Sequence, residues 1–584
     1  MTALISSHTS ASISAERKEE SESWITPDRY EPGFQGILVS DLINSQQLYS
    51  RLEGFSSKPV SGSSYNCRTT KDPGCLDAES YWFNAVLPVC DAVVSIDCVT
   101  SISATGPDLK KHQATFVNYV YPNHPNRFLP DEKLKIPQPA QPSVWNIPSV
   151  PHPGGTLYAL IAGLTGSTSG NAPRAAENFY AHLLPVQRVV TGWPVSNKVS
   201  PDGFFAYFPQ CVTKSPGVRG EARVGCMGMR DQGIGEEQYR CALWVDEGSD
   251  CYIQRPFPKD HTFTLDFRLT SSISGWLHGR MGEPVIGIQA GDDGATELSI
   301  TAKPIEVPIY YAGELYKDLP VPLKDLYAKS GHLSRGAGYG RICCEVETDP
   351  IKRNSTSTPH PFGDDSIEEL AHWLKNYSDK AVATPSMWSV RSMASWELSR
   401  ANSCFTVGKD LKGIVTTNSA TYSDGPPRFA DGSLNYRVAS PHLRQDGETF
   451  KGTYDLVVRS DVARCLYGYS SAPVSAEIEV VSDSGVESIA TSVLGERDGW
   501  LFLSVKNFTF SAPTIKARFV QQESKPDDAG NQSLQNQVEA STMAKEKKIS
   551  LVCVKGNKTK KLSPMSSKCP RGFKKQKVAR RLGI

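Results

Sequence analysis

The heptapeptide Ser274-Gly-Trp-Leu-His-Gly-Arg280 groups an indole, an imidazole and a guanidinium within five residues. Trp276, His278 and Arg280 are therefore the best candidates for a ligand-binding set. The competing reading is structural: a lone His on a strand most often serves as a hydrogen-bonding core residue. Other groupings carry less. The 11 His are scattered, with no two within five residues, so no HExxH zinc site can form locally. No Cys-x-x-Cys pair is present, which argues against a zinc or thioredoxin-like motif. Gly166-Ser-Thr-Ser-Gly170 matches a nucleophile elbow only in composition and reads as a loop. Gly336-Ala-Gly-Tyr-Gly340 lacks the spacing of a dinucleotide loop. The paired acids Asp292-Asp293, Asp364-Asp365 and Asp527-Asp528 fall at a turn, a helix start and a linker, where Asp is favoured on structural grounds. No metal site and no cofactor is expected. A glycosidase would need two carboxylates that only the fold could bring together.

The C-terminus holds the densest charge. Lys555, Lys558, Lys560, Lys561, Lys568, Arg571, Lys574, Lys575, Lys577, Arg580 and Arg581 lie in the last 36 residues, with no acid among them. The formal net charge of the whole chain is only +1, so the rest is net negative. Dense cations bind polyanions with little specificity. Outside the cytosol these would be anionic cell-wall polymers or membrane headgroups. The negative body and the cysteines speak against nucleic acid. The plainer reading is a solvated tail.

Fourteen cysteines are present. The disulfide candidates are Cys67, Cys75, Cys90, Cys98, Cys211, Cys226, Cys241, Cys251, Cys404, Cys465, Cys553 and Cys569, with Cys343 and Cys344 adjacent to each other. Short spacings, such as Cys67 to Cys75 and Cys90 to Cys98, suit bridges across loops or between neighbouring strands. A bridge from Cys553 to Cys569 would close a basic loop in the tail. An oxidising compartment is expected, hence a secreted or cell-envelope location. Met1–Ser23 does not read as a signal peptide, and no run reads as membrane-spanning.

The elements that position these groups read as mainly β. At 584 residues the chain should hold more than one core. Phe263, Leu265, Phe267 and Leu269 alternate with Thr264, Asp266 and Arg268, the period of a half-buried strand. From Lys451 to Gln522 five strands are expected, with Asp498-Gly499 as a hairpin turn and Trp500–Val505 as an inner strand. Pro122–Pro153 reads as an extended crossing without strands, because Pro cannot donate to a ladder. Asn178–Val190 is expected as a strand, with a helix begun at Pro173 as the alternative. Two helices stand out: a short one from Pro322 to Ser330, and Asp365–Asp379 with Ser366-Ile-Glu-Glu369 as a capping box.

The expected fold is antiparallel β-sandwich domains with one or two short helices inserted. Residues 1–24 should be disordered. A large β domain spans 25–311, a mixed segment 312–395 and a C-terminal sandwich 396–522. A linker over 523–548 leads to the basic two-cysteine tail, 549–584. Exposed Trp and Tyr on such sheets could stack on sugar rings, although most of the 10 Trp and 22 Tyr should be core.

Two stretches carry a resemblance. Thr453-Tyr-Asp-Leu-Val-Val-Arg-Ser-Asp-Val-Ala-Arg-Cys-Leu-Tyr-Gly468, continued to Gln521, resembles a module of uncharacterised secreted proteins of actinobacteria. The ending, Val552-Cys-Val-Lys-Gly556 through Cys569-Pro-Arg-Gly-Phe-Lys-Lys575, is similar to the short basic two-cysteine tail on many such proteins. Ser274–Arg280 is similar to the same proteins, less specifically. The resemblance implies an exported, envelope-associated product and brings no catalytic residue. Together these readings lead to a structural, adhesive or ligand-binding protein, with a secreted hydrolase of polysaccharide or peptide as the alternative.

Overall fold

The structure, a computed structural model, describes residues 32–41, 48–56, 65–73, 75–169, 172–190, 243–245, 250–270, 273, 275–328, 349, 351–352, 355–357, 359–408, 410–468, 474–482, 485–487, 491–510, 514–521, 551–555, 558–562 and 574–575. The expected disorder of 1–24 and the expected linker lie outside these residues. The chain divides into two compact units, Met1–Gln522 and Glu523–Ile584.

The first unit is mainly β, with mostly antiparallel sheets. Its largest sheet has sixteen strands among the described residues. Gly275–Arg280 lies between Ser386–Ser392 and Leu411–Thr417, and beyond these come Ala172–Val190 on one side and Gly452–Arg459 on the other. The sheet therefore runs across the expected boundaries near 311 and 395. Within this largely antiparallel sheet, Gly275–Arg280 and Leu411–Thr417 run parallel.

Alternation along the strands of this sheet supplies two cores. Leu160, Ala162 and Leu164, with Ile414 and Val457, share one core with Phe263, Leu265, Phe267 and Ile300 of a five-stranded sheet. Val415, Tyr454, Leu456 and Val458 share another with Tyr436, Val438, Ile515, Ala517 and Phe519 of a six-stranded sheet. The side-chain period of two makes this possible, because residues 414 and 415, or 456 and 457, must serve opposite faces. The five strands expected from Lys451 to Gln522 are divided between two sheets: Gly452–Arg459, Thr491–Arg497 and Trp500–Phe508 join the large one, and Val474–Ser482 and Thr514–Gln521 the six-stranded one. Asp498 and Gly499 turn the hairpin with φ of 53° and 78°, a two-residue loop whose geometry matches strand twist.

Other expectations change locally. Ser143–Asn146 is a strand inside the proline-rich crossing, since none of its residues is Pro and it pairs on both sides. Gly166–Ser169 is not a loop but the end of strand Leu157–Ser169, held between Ser80–Val86 and Ala172–Val190. The latter is a strand, not a helix begun at Pro173.

Helix Asp364–Asn376 starts at Gly363, whose φ of 117° suits only glycine. Ser366 is thus inside the helix, buried and with no hydrogen-bond partner for its hydroxyl, so the expected capping box does not form. Glu369 instead accepts from the Tyr327 hydroxyl at 2.8 Å, and that oxygen accepts from Trp373 Nε1 at 2.8 Å. Tyr327 belongs to helix Val321–Ala328, the short helix expected near Pro322. Ile367, Leu370 and Trp373 are fully buried, each stabilising by roughly 2 kcal/mol. Helix Ser460–Tyr467 interrupts the strand rhythm and ends at Gly468 in the left-handed conformation.

Disulfides join Cys67 to Cys75, Cys90 to Cys98 and Cys404 to Cys465. Cys251 is also disulfide-bonded. Among the described residues no helix is long and apolar enough to cross a membrane.

Candidate functional site

Trp276, His278 and Arg280 all lie in the interior. Their strand is flanked on both sides, His278 standing opposite Arg391 on one neighbour and Val415 on the other. Trp276 meets Phe405 edge-on at 4.9 Å, against the close floor left by Gly413. None of the three forms an exposed ligand face. They are the base on which an exposed site stands.

Arg280 is 1% exposed and fully engaged. Its Nε donates to Asp41 Oδ2 at 2.5 Å, and its Nη1 to the carbonyls of Thr417 and Ser419 at 2.9 and 2.7 Å. The guanidinium also lies 4.5 Å from the Tyr422 ring centre. Such pairing is required, since a buried charge without partners is very costly. His278 stacks on Tyr422, and burial together with Arg280 and Arg391 holds its pKa well below the ordinary value. It is therefore neutral at pH 7. Burial pushes the Tyr422 hydroxyl up to about 12, helped by Asp41.

Arg391 completes the base. Its two terminal nitrogens donate to the two oxygens of Glu397 at 2.7 and 2.9 Å, a bidentate clamp. Glu397 Oε2 also accepts from the Ala394 N–H at 2.7 Å, fixing the turn that carries Trp396. Burial opposes the charge of Arg391, but Tyr422 and Glu397 outweigh it and raise its pKa.

Above this neutralised pair lies Phe362, its ring centre 4.3 Å from the Arg391 guanidinium. The Tyr422 backbone holds it in place: Tyr422 N–H donates to Pro361 O at 2.9 Å, and Gly363 N–H to Tyr422 O at 2.8 Å. Phe362 is flanked by His360 at 5.4 Å and 17° and by Trp396 at 5.7 Å and 32°. Trp396 is 56% exposed and His360 is exposed. Three rings with similar plane orientations thus form a surface strip whose underlying cation is already paired. Chemically the exposed Trp396 can stack an uncharged ring with apolar C–H faces, with His360 and Phe362 beside it. The sequence marks Trp396 only as an aromatic set among Ser395, Glu397 and Ser399 outside any strand rhythm.

The adjacent acids have structural partners: Asp293 pairs with Arg268, and Asp364 with Arg428 and Arg437. Asp527-Asp528 and Gly336–Gly340 lie outside the described residues, as do Cys211, Cys226, Cys241, Cys343, Cys344 and Cys569. In the second unit, Leu551–Lys555 is the middle strand of three, between Lys558–Leu562 and Lys574–Lys575. This register sets Lys555 opposite Lys558, and Cys553 opposite both Lys560 and Lys575. Lys568, Arg571, Lys577, Arg580 and Arg581 lie outside the described residues. No protein family, characterised protein or solved structure matches the chain.

Proposed function

We propose that the protein is a non-enzymatic carbohydrate-binding protein working outside the cytosol, with its basic tail gripping an anionic envelope polymer or membrane surface. The observation that carries the carbohydrate reading is the surface strip of exposed His360 and Trp396 on either side of the half-buried Phe362, over the Arg391–Glu397 clamp. Rigid rings offer contact area at small entropic cost, and a cancelled charge underneath favours a neutral sugar over an ionic ligand. Glu397, the carboxylate beside Trp396, has both oxygens committed to Arg391, whereas glycoside hydrolysis needs two free carboxyl groups across the bond. Binding is therefore preferred to the hydrolase alternative at this strip. The disulfides among the described residues support an oxidising compartment. Six of the tail's lysines, placed on three short strands, support polyanion binding.

Affinity electrophoresis of the full chain in gels containing neutral polysaccharides tests the strip. Retardation by at least one polysaccharide, weakened about tenfold in Trp396→Ala, is expected from the loss of roughly 1.4 kcal/mol of stacking. Equal retardation of wild type and variant would remove the strip as the site. Deleting residues 549–584 should release protein from cell walls at physiological salt, and unchanged retention would remove the anchoring role.

A further inference from the structure

We infer that the outward face of the five-stranded sheet holds a second carbohydrate site, a polar trough that takes a stretch of neutral glycan chain by hydrogen bonding. Ser101, Asp266, Ser299 and Gly287 stand opposite one another on four adjacent strands. Short side chains in one cross-strand row leave a depression running across the strands, walled on one side by the longer Arg268, Glu297 and Gln289 of the next row. Gln289 and Glu297 flank it on the same sheet, with Thr100 at its edge. The cavity measures about 360 Å³, within the range of small-molecule sites.

The hydrogen bonding inside the trough selects the ligand. Ser101 Oγ donates to Asp266 Oδ2 and Ser299 Oγ to Asp266 Oδ1, both at 2.6 Å. Each serine proton is thus directed at the carboxylate, and the serine lone pairs remain to accept. Glu297 adds an exposed acceptor. The floor is rich in acceptors and suits a ligand with many hydroxyl donors. The neighbouring cation, Arg268, pairs with Asp293 at 2.5 Å, so its charge is already offset for a sulfated or phosphorylated chain. Gly287 keeps the trough open. A Cβ at this position would meet Ser299 Cβ at 3.5 Å, an ordinary contact, so the fold accepts a side chain that the ligand would not.

The inference rests on the carbohydrate reading for its ligand class, and stoichiometry separates the two. Isothermal titration of the full chain with cellohexaose, mannohexaose and xylohexaose should find one of them bound at two sites in the wild type. Gly287→Tyr should leave one site, and Trp396→Ala should remove the other. Asp266→Asn keeps the shape of the trough and should weaken the Gly287-sensitive site about tenfold, which covers the case of a misfolded tyrosine variant. A single site lost in Trp396→Ala but untouched by Gly287→Tyr and Asp266→Asn overturns the trough and leaves the strip. A single site with the opposite pattern keeps the trough and overturns the strip. No binding of any hexaose overturns both.

Discussion

His278 and Tyr422 lie face to face, with ring centres 3.8 Å apart and planes within 1°. Arg280 contacts the same tyrosine, and Arg391 faces His278 across the sheet. A protonated imidazole would add a third cation to a site that has anionic partners for two, Asp41 and Glu397. The neutral ring is thus part of the folded state.

This sets a pH dependence. Burial, Arg280 and Arg391 lower the His278 pKa, and burial lowers that of His182 to about 4. An unfolded histidine takes its proton near pH 6.5, so the unfolded state binds more protons below that pH. Stability from these two residues is complete above about pH 6.5 and is lost as pH falls towards the folded pKa values. The slope should reach about 1.4 kcal/mol per pH unit per histidine. Urea unfolding from pH 7 to pH 5 measures it. Burial also lowers His124, to about 4, and His152, so His278→Gln should flatten the slope by roughly a quarter, and an unchanged slope would show that His278 is not held neutral.

The Arg391–Glu397 clamp yields an asymmetric prediction. Glu397→Gln leaves a largely buried guanidinium short of its counter-charge and should destabilise the protein by about 3 kcal/mol. Replacing both residues, as Arg391→Met with Glu397→Leu, should recover most of that loss, because the two desolvation costs vanish together. Urea midpoints of the single and double variants decide this. A double variant no better than the single would mean that the Ala394 contact, rather than charge, carries the effect.

Gly413 lies against the Trp276 ring. A Cβ there would sit 2.5 Å from Trp276 Cζ3 and 2.5 Å from Val457 O, closer than real contacts allow. Gly413→Ala should therefore cost about 1–3 kcal/mol through overpacking. Gly495 is the control, since nothing lies within 4 Å of its would-be Cβ. Thermal unfolding should separate the two variants, and equal midpoints would mean that Trp276 moves aside.

Much of the fold was legible from side-chain alternation. Thr262–Leu269 is buried at every second residue, and Trp500–Phe508 is an inner strand as expected, with its second face only partly buried. Helix Asp364–Asn376 is visible in its apolar spacing, but its cap is not, because Ser366 and Glu369 mimic a capping box while Glu369 is claimed by Tyr327 and the Ser366 hydroxyl is buried without a partner. Strand partners were not legible. Pairing Gly275–Arg280 with strands more than 100 residues later depends on long-range packing that local period cannot encode. The site shared that fate: Trp276, His278 and Arg280 stood out by type, yet their role as a base for Phe362 and Trp396 arises only when residues from 41 to 422 converge.

The Cys404–Cys465 bridge joins helix Ser403–Thr406 to helix Ser460–Tyr467, closing a loop over a sequence separation of 61. That loop contains strands Leu411–Thr417 and Gly452–Arg459, both paired inside the large sheet. Cross-linking it restricts the unfolded chain by about 4 kcal/mol in the loop-entropy account, against roughly 2.5 kcal/mol for Cys67–Cys75 or Cys90–Cys98 with their separations of 8. Cys404→Ser with Cys465→Ser should accordingly lower the unfolding midpoint more than either of the other double replacements. Phe405, packed edge-on to Trp276, sits beside Cys404, so the loss should reach the base of the aromatic strip. Differential scanning fluorimetry of the three double variants ranks the bridges. A Cys404–Cys465 variant as stable as the wild type would show that the sheet pairing alone holds this loop closed.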